Sequence, residues 1–180
     1  MYEMKKKKYT IKDFEQLPEG SPYQLIDGEL IMSPSPIPYH QEIALKLGSK
    51  ILSFVEKNDL GKVYLSLDVS ISETEIYQPD IIFISKENLD IIGEKRIEGA
   101  PDVVIEILSP STAYYDLIHK KNIYQQSGIK EYWIIDPIEK FIEIFENSGK
   151  DFTSIQKTKG DELVKSKMIK DFQIKTGEIF

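Results

Sequence analysis

Val103-Val104-Ile105-Glu106-Ile107-Leu108 is the stretch that decides the fold. Every residue but Glu106 is aliphatic, with Pro101-Asp102 before the run and Ser109-Pro110 after it. A short continuous apolar run between such breakers reads as a β-strand buried on both faces. An ionised carboxylate there is costly, roughly several kcal/mol, unless a cation or a full set of hydrogen bonds receives it. Its neighbours at 104 and 108 share its face and are both apolar.

Upstream, Gln78-Pro79-Asp80-Ile81-Ile82-Phe83-Ile84 is a second run of the same kind, a buried strand over 81–84 that starts on a carboxylate. Pro79 biases Gln78 toward extended backbone. Downstream, Ser109-Pro110-Ser111-Thr112 breaks the strand and offers an N-cap, and a helix is predicted from Tyr114 to Ser127 with Gly128 as its C-terminal cap. Glu131 to Asp136, with the single tryptophan Trp133, reads as the next strand. Phe141 to Phe145 follows an Asp136-Pro137 turn, and 151–180 reads as short strands and turns.

Toward the N-terminus, Tyr39 to Lys57 is an amphipathic helix carrying Ile43, Leu47, Ile51, Leu52 and Val55 at helical spacing. Val63 to Ile71 alternates as a single strand, and Lys86 to Ala100 is a polar connection. Asp27-Gly28 between Tyr23–Ile26 and Glu29–Met32 is a strong hairpin signal. Ser33 to Pro38 is a proline-rich extended linker. Thr10 to Leu17 is a short helix with Thr10 and Asp13 in a capping-box relation. The order of the core is helix, three strands, helix, two strands. That order implies an α/β fold with a mixed central sheet covered on both faces and an N-terminal β-hairpin. The expected division is an N-terminal segment with a short helix over 1–19 and a single domain over 20–180.

Composition narrows the function. The chain has 180 residues and a net charge of -7, which argues against a broad basic surface for passive duplex binding. There is no cysteine, hence no disulfide framework and no thiolate metal site; this fits a reducing interior. Lys5 to Lys8 is not followed by an apolar stretch of signal-peptide length, so a cytoplasmic location is expected, and no run suits a membrane span. No Gly-rich phosphate loop is present, so no nucleotide cofactor is expected.

Several charged residues are candidates for chemistry. Asp80 is either a strand-start aspartate or a metal ligand. Glu106 is either a structural glutamate paired with Lys120 or Lys121 or a ligand for a hard cation such as Mg2+. Asp116, Lys120, Tyr124 and Gly128 recur at steps of four, each advancing about 400°, and so form a stripe on one helix face. That stripe is either a surface ion pair with its neighbours or the source of an ammonium beside the carboxylates. Lys121 points about 100° away from it. Glu29 is either an exposed hairpin carboxylate or an extra acid. His40 is either a capping or core-edge histidine or a contact to phosphate or metal-bound water. Asp68 is a solvated strand residue or lines the cleft. His119 is the only other histidine, which excludes a multi-histidine metal site. Two strand carboxylates plus a lysine is the chemistry of a metal-dependent phosphodiesterase.

Pro79-Asp80 followed by Glu106-Ile107-Leu108 resembles the PD-(D/E)XK nuclease superfamily with its restriction-endonuclease-like core. Within it, residues 101–137 look very like a bacterial family described as putative restriction endonucleases. The motifs that carry this are Asp27-Gly28-Glu29, His40, Pro79-Asp80, Glu106 to Ser111, Asp116/Lys120/Tyr124/Gly128 and Glu131-Tyr132-Trp133. One departure stands out: the superfamily lysine two residues after the glutamate is Leu108 here, and the resemblance implies its migration to Lys120. The resemblance also implies Mg2+ (or Mn2+) held by Asp80, Glu106 and the Ile107 carbonyl, with Asp80, Glu106 and Lys120 catalytic. Glu29, His40, Asp116 and Tyr124 are accessory candidates, DNA is the expected substrate, and a homodimer is expected. The rival readings are a non-catalytic interaction module on the same fold and a phosphodiesterase acting on RNA.

Overall fold

Alternate residues of the 103–107 strand face two different cores, and this places the carboxylate of Glu106. The computed structural model describes residues 8–33, 35–109, 115–149 and 151–180, without the side chains of Tyr115 and Asp116. The expected N-cap at 111–112 and residues 5–7 of the lysine run lie outside the described residues. In chain order the elements begin with α1 (Ile11–Phe14), β1 (Tyr23–Ile26), β2 (Glu29–Met32), α2 (Pro38–Lys57) and β3 (Gly61–Leu65). Then come β4 (Val69–Ser72), β5 (Glu75–Tyr77), β6 (Ile81–Ser85), a 3-10 helix (Lys86–Ile91), β7 (Ile97–Glu98) and β8 (Val103–Ile107). A π-helical segment (Tyr115–Lys120) runs into α3 (Lys121–Ser127), followed by β9 (Glu131–Asp136), β10 (Phe141–Asn147) and β11 (Phe152–Lys159). The described chain closes with β12 (Leu163–Lys165), β13 (Gln173–Lys175) and a 3-10 turn (Thr176–Glu178).

The central sheet has the order β11-β10-β9-β8-β6-β3. It is mixed, because β8 and β9 run parallel while the other pairs are antiparallel. Val103, Ile105 and Ile107 face the apolar stripe of α2, formed by Ile43, Leu47, Ile51 and Val55. Val104 faces the opposite core with Ile82, Ile134, Tyr77, Tyr124 and Tyr132, and Glu106 shares its parity. That second face is closed by α3 and by a further sheet of order β2-β1-β5-β4-β7. The expected hairpin forms an edge of this second sheet, with Asp27 and Gly28 both left-handed (φ 49° and 73°) as a tight two-residue turn requires.

Three sequence expectations are corrected. The strand predicted over 63–71 is two strands in two sheets. Ser66 turns left-handed (φ 48°) and donates its N–H to the Asp80 carbonyl at 3.1 Å, which ends β3 and redirects the chain into β4. Glu75–Tyr77, where the turn expected over Ser72–Glu75 would end, is a buried strand. The helix predicted over 114–127 is π-helical up to Lys120 and α-helical only beyond it, so Asp116 and Lys120 are not one α-turn apart. At the N-terminus, the Asp13 carboxylate accepts both the N–H and the hydroxyl of Thr10, at 2.9 Å each. Tyr9 N–H and Ile11 N–H then tie this segment to Gly28 and Glu73 of the second sheet. Among the described residues, no helix is long and apolar enough to cross a membrane.

Candidate active site

β6 and β8 pair from Phe83↔Val103 to Ile81↔Ile105 and then part. Continuing that register by one residue sets Asp80 opposite Glu106. Beyond the last pair, the Ile107 N–H and C=O on this edge lose their strand partner and would be orphaned in a buried position. Side chains take over. The Asp80 Oδ2 accepts the Ile107 N–H at 2.7 Å, and His40 Nε2 lies 3.0 Å from the Ile107 carbonyl oxygen. The same His40 nitrogen is 3.3 Å from Asp80 Oδ2. His40 is the third residue of α2, so this contact is delivered from the first turn of a 20-residue helix.

Glu106 is 3% exposed and is received by two donors at one oxygen. Lys120 Nζ and Tyr124 OH each donate to its Oε1 at 2.9 Å. Lys120 is itself only 4% exposed, so this is a buried ion pair with a charge-assisted geometry. Lys120 ends the π segment and Tyr124 follows one α-turn later, which is why both reach the same atom. Lys121 points elsewhere, with its ammonium 3.5 Å from the centroid of the Phe145 ring, and burial holds its pKa below the usual lysine value.

A polar cluster behind Tyr124 was not anticipated. The Tyr124 ring packs edge-on against Tyr77 and Tyr132, with centroids 5.4 and 5.5 Å apart. Tyr77 OH donates to the buried Glu75 carboxylate, whose other oxygen accepts the Asp27 N–H at 3.0 Å. Burial pushes the Glu75 carboxyl above its ordinary value, against the hydrogen bonds from Tyr77 and Asp27. His119, next to Lys120, acts electrostatically on both Asp27 and Glu75. The sequence signal was the Asp27-Gly28 turn and a carboxylate two residues from a tyrosine, both common in ordinary turns.

Two of the remaining candidates have described side chains. Glu29 is exposed on β2, within electrostatic reach of Lys8. Asp68 is half-buried, accepts Gln78 Nε2 at 3.1 Å, and burial raises its pKa. The Asp116 side chain lies outside the described residues. Asp80, Glu106, Ile107, Lys120, Tyr124 and His40 are therefore the residues brought together.

The donors around β8 are hard oxygens: the Asp80 and Glu106 carboxylates and a main-chain carbonyl. Among the described residues Asp80 accepts through Oδ2, and Glu106 Oε1 serves Lys120 and Tyr124. Among the described residues no three side chains of His, Cys, Asp or Glu converge as a metal cage. Two carboxylates with the rest of the shell left to water is the arrangement Mg2+ accepts, so this donor set fits Mg2+ or Mn2+.

A mixed sheet flanked by helices, with a carboxylate at the start of one strand, a second on its neighbour and a lysine on the following helix, defines the restriction-endonuclease-like class. The chain belongs to the family described as "Putative restriction endonuclease", whose pattern matches residues 11–177. Among the solved structures that match is one titled as a putative nuclease belonging to DUF820 from Anabaena variabilis, with a TM-score of 0.79 and 24% identity over 95% of this chain and 97% of that one. That likeness establishes the fold as restriction-endonuclease-like α/β. No curated protein matches the chain.

Proposed function

We propose that the protein is a metal-dependent endonuclease that hydrolyses phosphodiester bonds in DNA. The single observation that carries this reading is the convergence of buried Lys120 and Tyr124 on one oxygen of Glu106, at the point where β8 separates from β6 and Asp80 begins. A buried ion pair is weak evidence for stability alone. Its position at the end of an open strand pair, beside a second carboxylate, supports a catalytic purpose. Family membership supports the same reaction class.

In this reading Asp80, Glu106 and the Ile107 carbonyl hold Mg2+ or Mn2+. The chemistry such an ion supplies when bound is a water of lowered pKa and a polarised phosphoryl oxygen. Lys120 carries positive charge into the buried end of the site, where it orients the attacking water and offsets charge developing on the phosphate. Tyr124 shares Glu106 Oε1 with Lys120 and so fixes the carboxylate rotamer.

The test is nicking of supercoiled plasmid in Mg2+, in Mn2+ and in EDTA, with an RNA of matched length in parallel. Glu106→Gln is a better probe than Glu106→Ala, because an alanine would leave the Lys120 ammonium buried without a partner. The expected result is metal-dependent nicking by the wild type and its loss in Glu106→Gln. Equal cleavage by both proteins sinks the assignment, and cleavage of RNA alone replaces DNA as the substrate.

A further inference from the structure

We propose that His40 is a positioning residue that acts as an Nε2–H donor to the metal-binding strand end and is not itself a metal ligand. The inference rests on the metal site described above and assigns its nearest histidine a definite state. His40 Nε2 faces two atoms, the Ile107 carbonyl oxygen at 3.0 Å and Asp80 Oδ2 at 3.3 Å. Both are acceptors. A carbonyl oxygen and a carboxylate oxygen cannot be met at these distances by a bare ring nitrogen, so Nε2 carries the proton. A protonated nitrogen has no lone pair for a metal, so the atom nearest the donor set is excluded from it.

The geometry also states what the proton does. Ile107 is clasped at both polar groups of the strand edge that β6 leaves open: Asp80 Oδ2 takes the N–H and His40 takes the C=O. One carboxylate oxygen of Asp80, Oδ2, is thereby engaged by both Ile107 N–H and His40. The Ile107 carbonyl oxygen has a second lone pair beside the one that accepts from the imidazole, and the hydrogen bond holds the carbonyl in place. His40 is 7% exposed and comes from the first turn of α2, whose next turns are locked into the core through Ile43 and Leu47, so the ring has little freedom to leave. Carboxylate and carbonyl are thus aimed by one side chain on a rigid element, the arrangement by which outer-shell groups set metal affinity.

The experiment is Mn2+ binding by calorimetry to wild type, His40→Ala and His40→Gln, with the folded state of each checked by thermal unfolding. Glutamine places an amide N–H close to the position of Nε2 and offers no imidazole. His40→Ala is expected to weaken Mn2+ binding about 10–100-fold, while His40→Gln stays within about threefold of wild type, the smaller change being set by imperfect amide geometry. If His40→Ala does not fold, the His40→Gln titration decides alone. Wild-type affinity in His40→Ala overturns the positioning role. A loss in His40→Gln as large as that expected for alanine overturns the donor assignment, because it makes the imidazole itself a ligand. A wild type that binds no Mn2+ overturns the metal site and this inference together, a result distinct from the other two.

Discussion

Removing either member of the Glu106–Lys120 pair leaves the other charge in an apolar interior. Lys120→Met is expected to cost about 3–5 kcal/mol of stability, because Glu106 keeps only Tyr124 among the two donors at Oε1. Glu106→Gln retains an acceptor for both donors and costs less. The double variant Glu106→Gln/Lys120→Met removes both charges and recovers at least half of the loss in the lysine single variant. Urea unfolding of the four proteins measures this, and strictly additive losses would show that the two side chains do not depend on each other. Tyr124→Phe removes one neutral-to-charged hydrogen bond and costs about 1.5–3 kcal/mol.

At the scale of elements, Asp102 holds the other end of the same strand. Its carboxylate is buried at the start of β8 and accepts Ser85 N–H at 2.7 Å, Asn88 Nδ2 at 3.3 Å and Lys130 Nζ at 2.6 Å, joining β6, β8 and the approach to β9. Burial pushes this carboxyl up, but Lys130 and the Ser85 N–H outweigh it and hold the pKa below the usual aspartate value. A depressed folded pKa means that the unfolded chain takes up the proton first, so the contribution is present above the unfolded value of about 3.9 and is lost as pH falls through the lower folded value. Asp102→Asn is expected to flatten that acid limb of the stability curve while leaving the neutral plateau lower. An unchanged acid limb in urea titrations at successive pH values would remove Asp102 from the account. The elements also show where sequence patterns fail. The alternation of 63–71 continues through Ser66 because Leu67 and Val69 keep the parity, and nothing in a serine announces a left-handed φ. The π segment escapes detection because no residue type in 115–120 announces an i→i+5 hydrogen-bond pattern in place of i→i+4. The three residues of β5 are too few for any period to register.

Across the whole molecule, the central layer was legible because buried strands in a two-faced sheet are apolar without interruption, so Asp80 and Glu106 stood out against Ile81–Ile84 and Val103–Leu108. The hairpin turn was legible for its Asp-Gly pair. The second sheet was not: its strands are short, and its stabilising contacts are distant in sequence, such as Asp27 with Glu75. The C-terminal strands are likewise held from a distance. Glu131, buried on β9, accepts Trp133 Nε1 at 2.6 Å, Ser166 Oγ and Lys167 N–H at 3.0 Å, and Met168 N–H at 2.9 Å. Glu131→Ala would strand four donors, each at about 1–3 kcal/mol if left unsatisfied. The expected result is faster amide exchange through β12 and β13 ahead of the central sheet; uniform exchange across the chain would contradict it.

The measurement that tests the central claim most directly is the single-turnover rate of DNA nicking against Mg2+ concentration for wild type, Asp80→Asn and Glu106→Gln. The expected result is a saturable Mg2+ dependence in the wild type and loss of at least about two orders of magnitude in rate in both variants, with unfolding midpoints that keep them folded at the assay temperature. Nicking that persists in either variant at the wild-type rate, or that is indifferent to Mg2+, would contradict the placement of the reaction at β6 and β8.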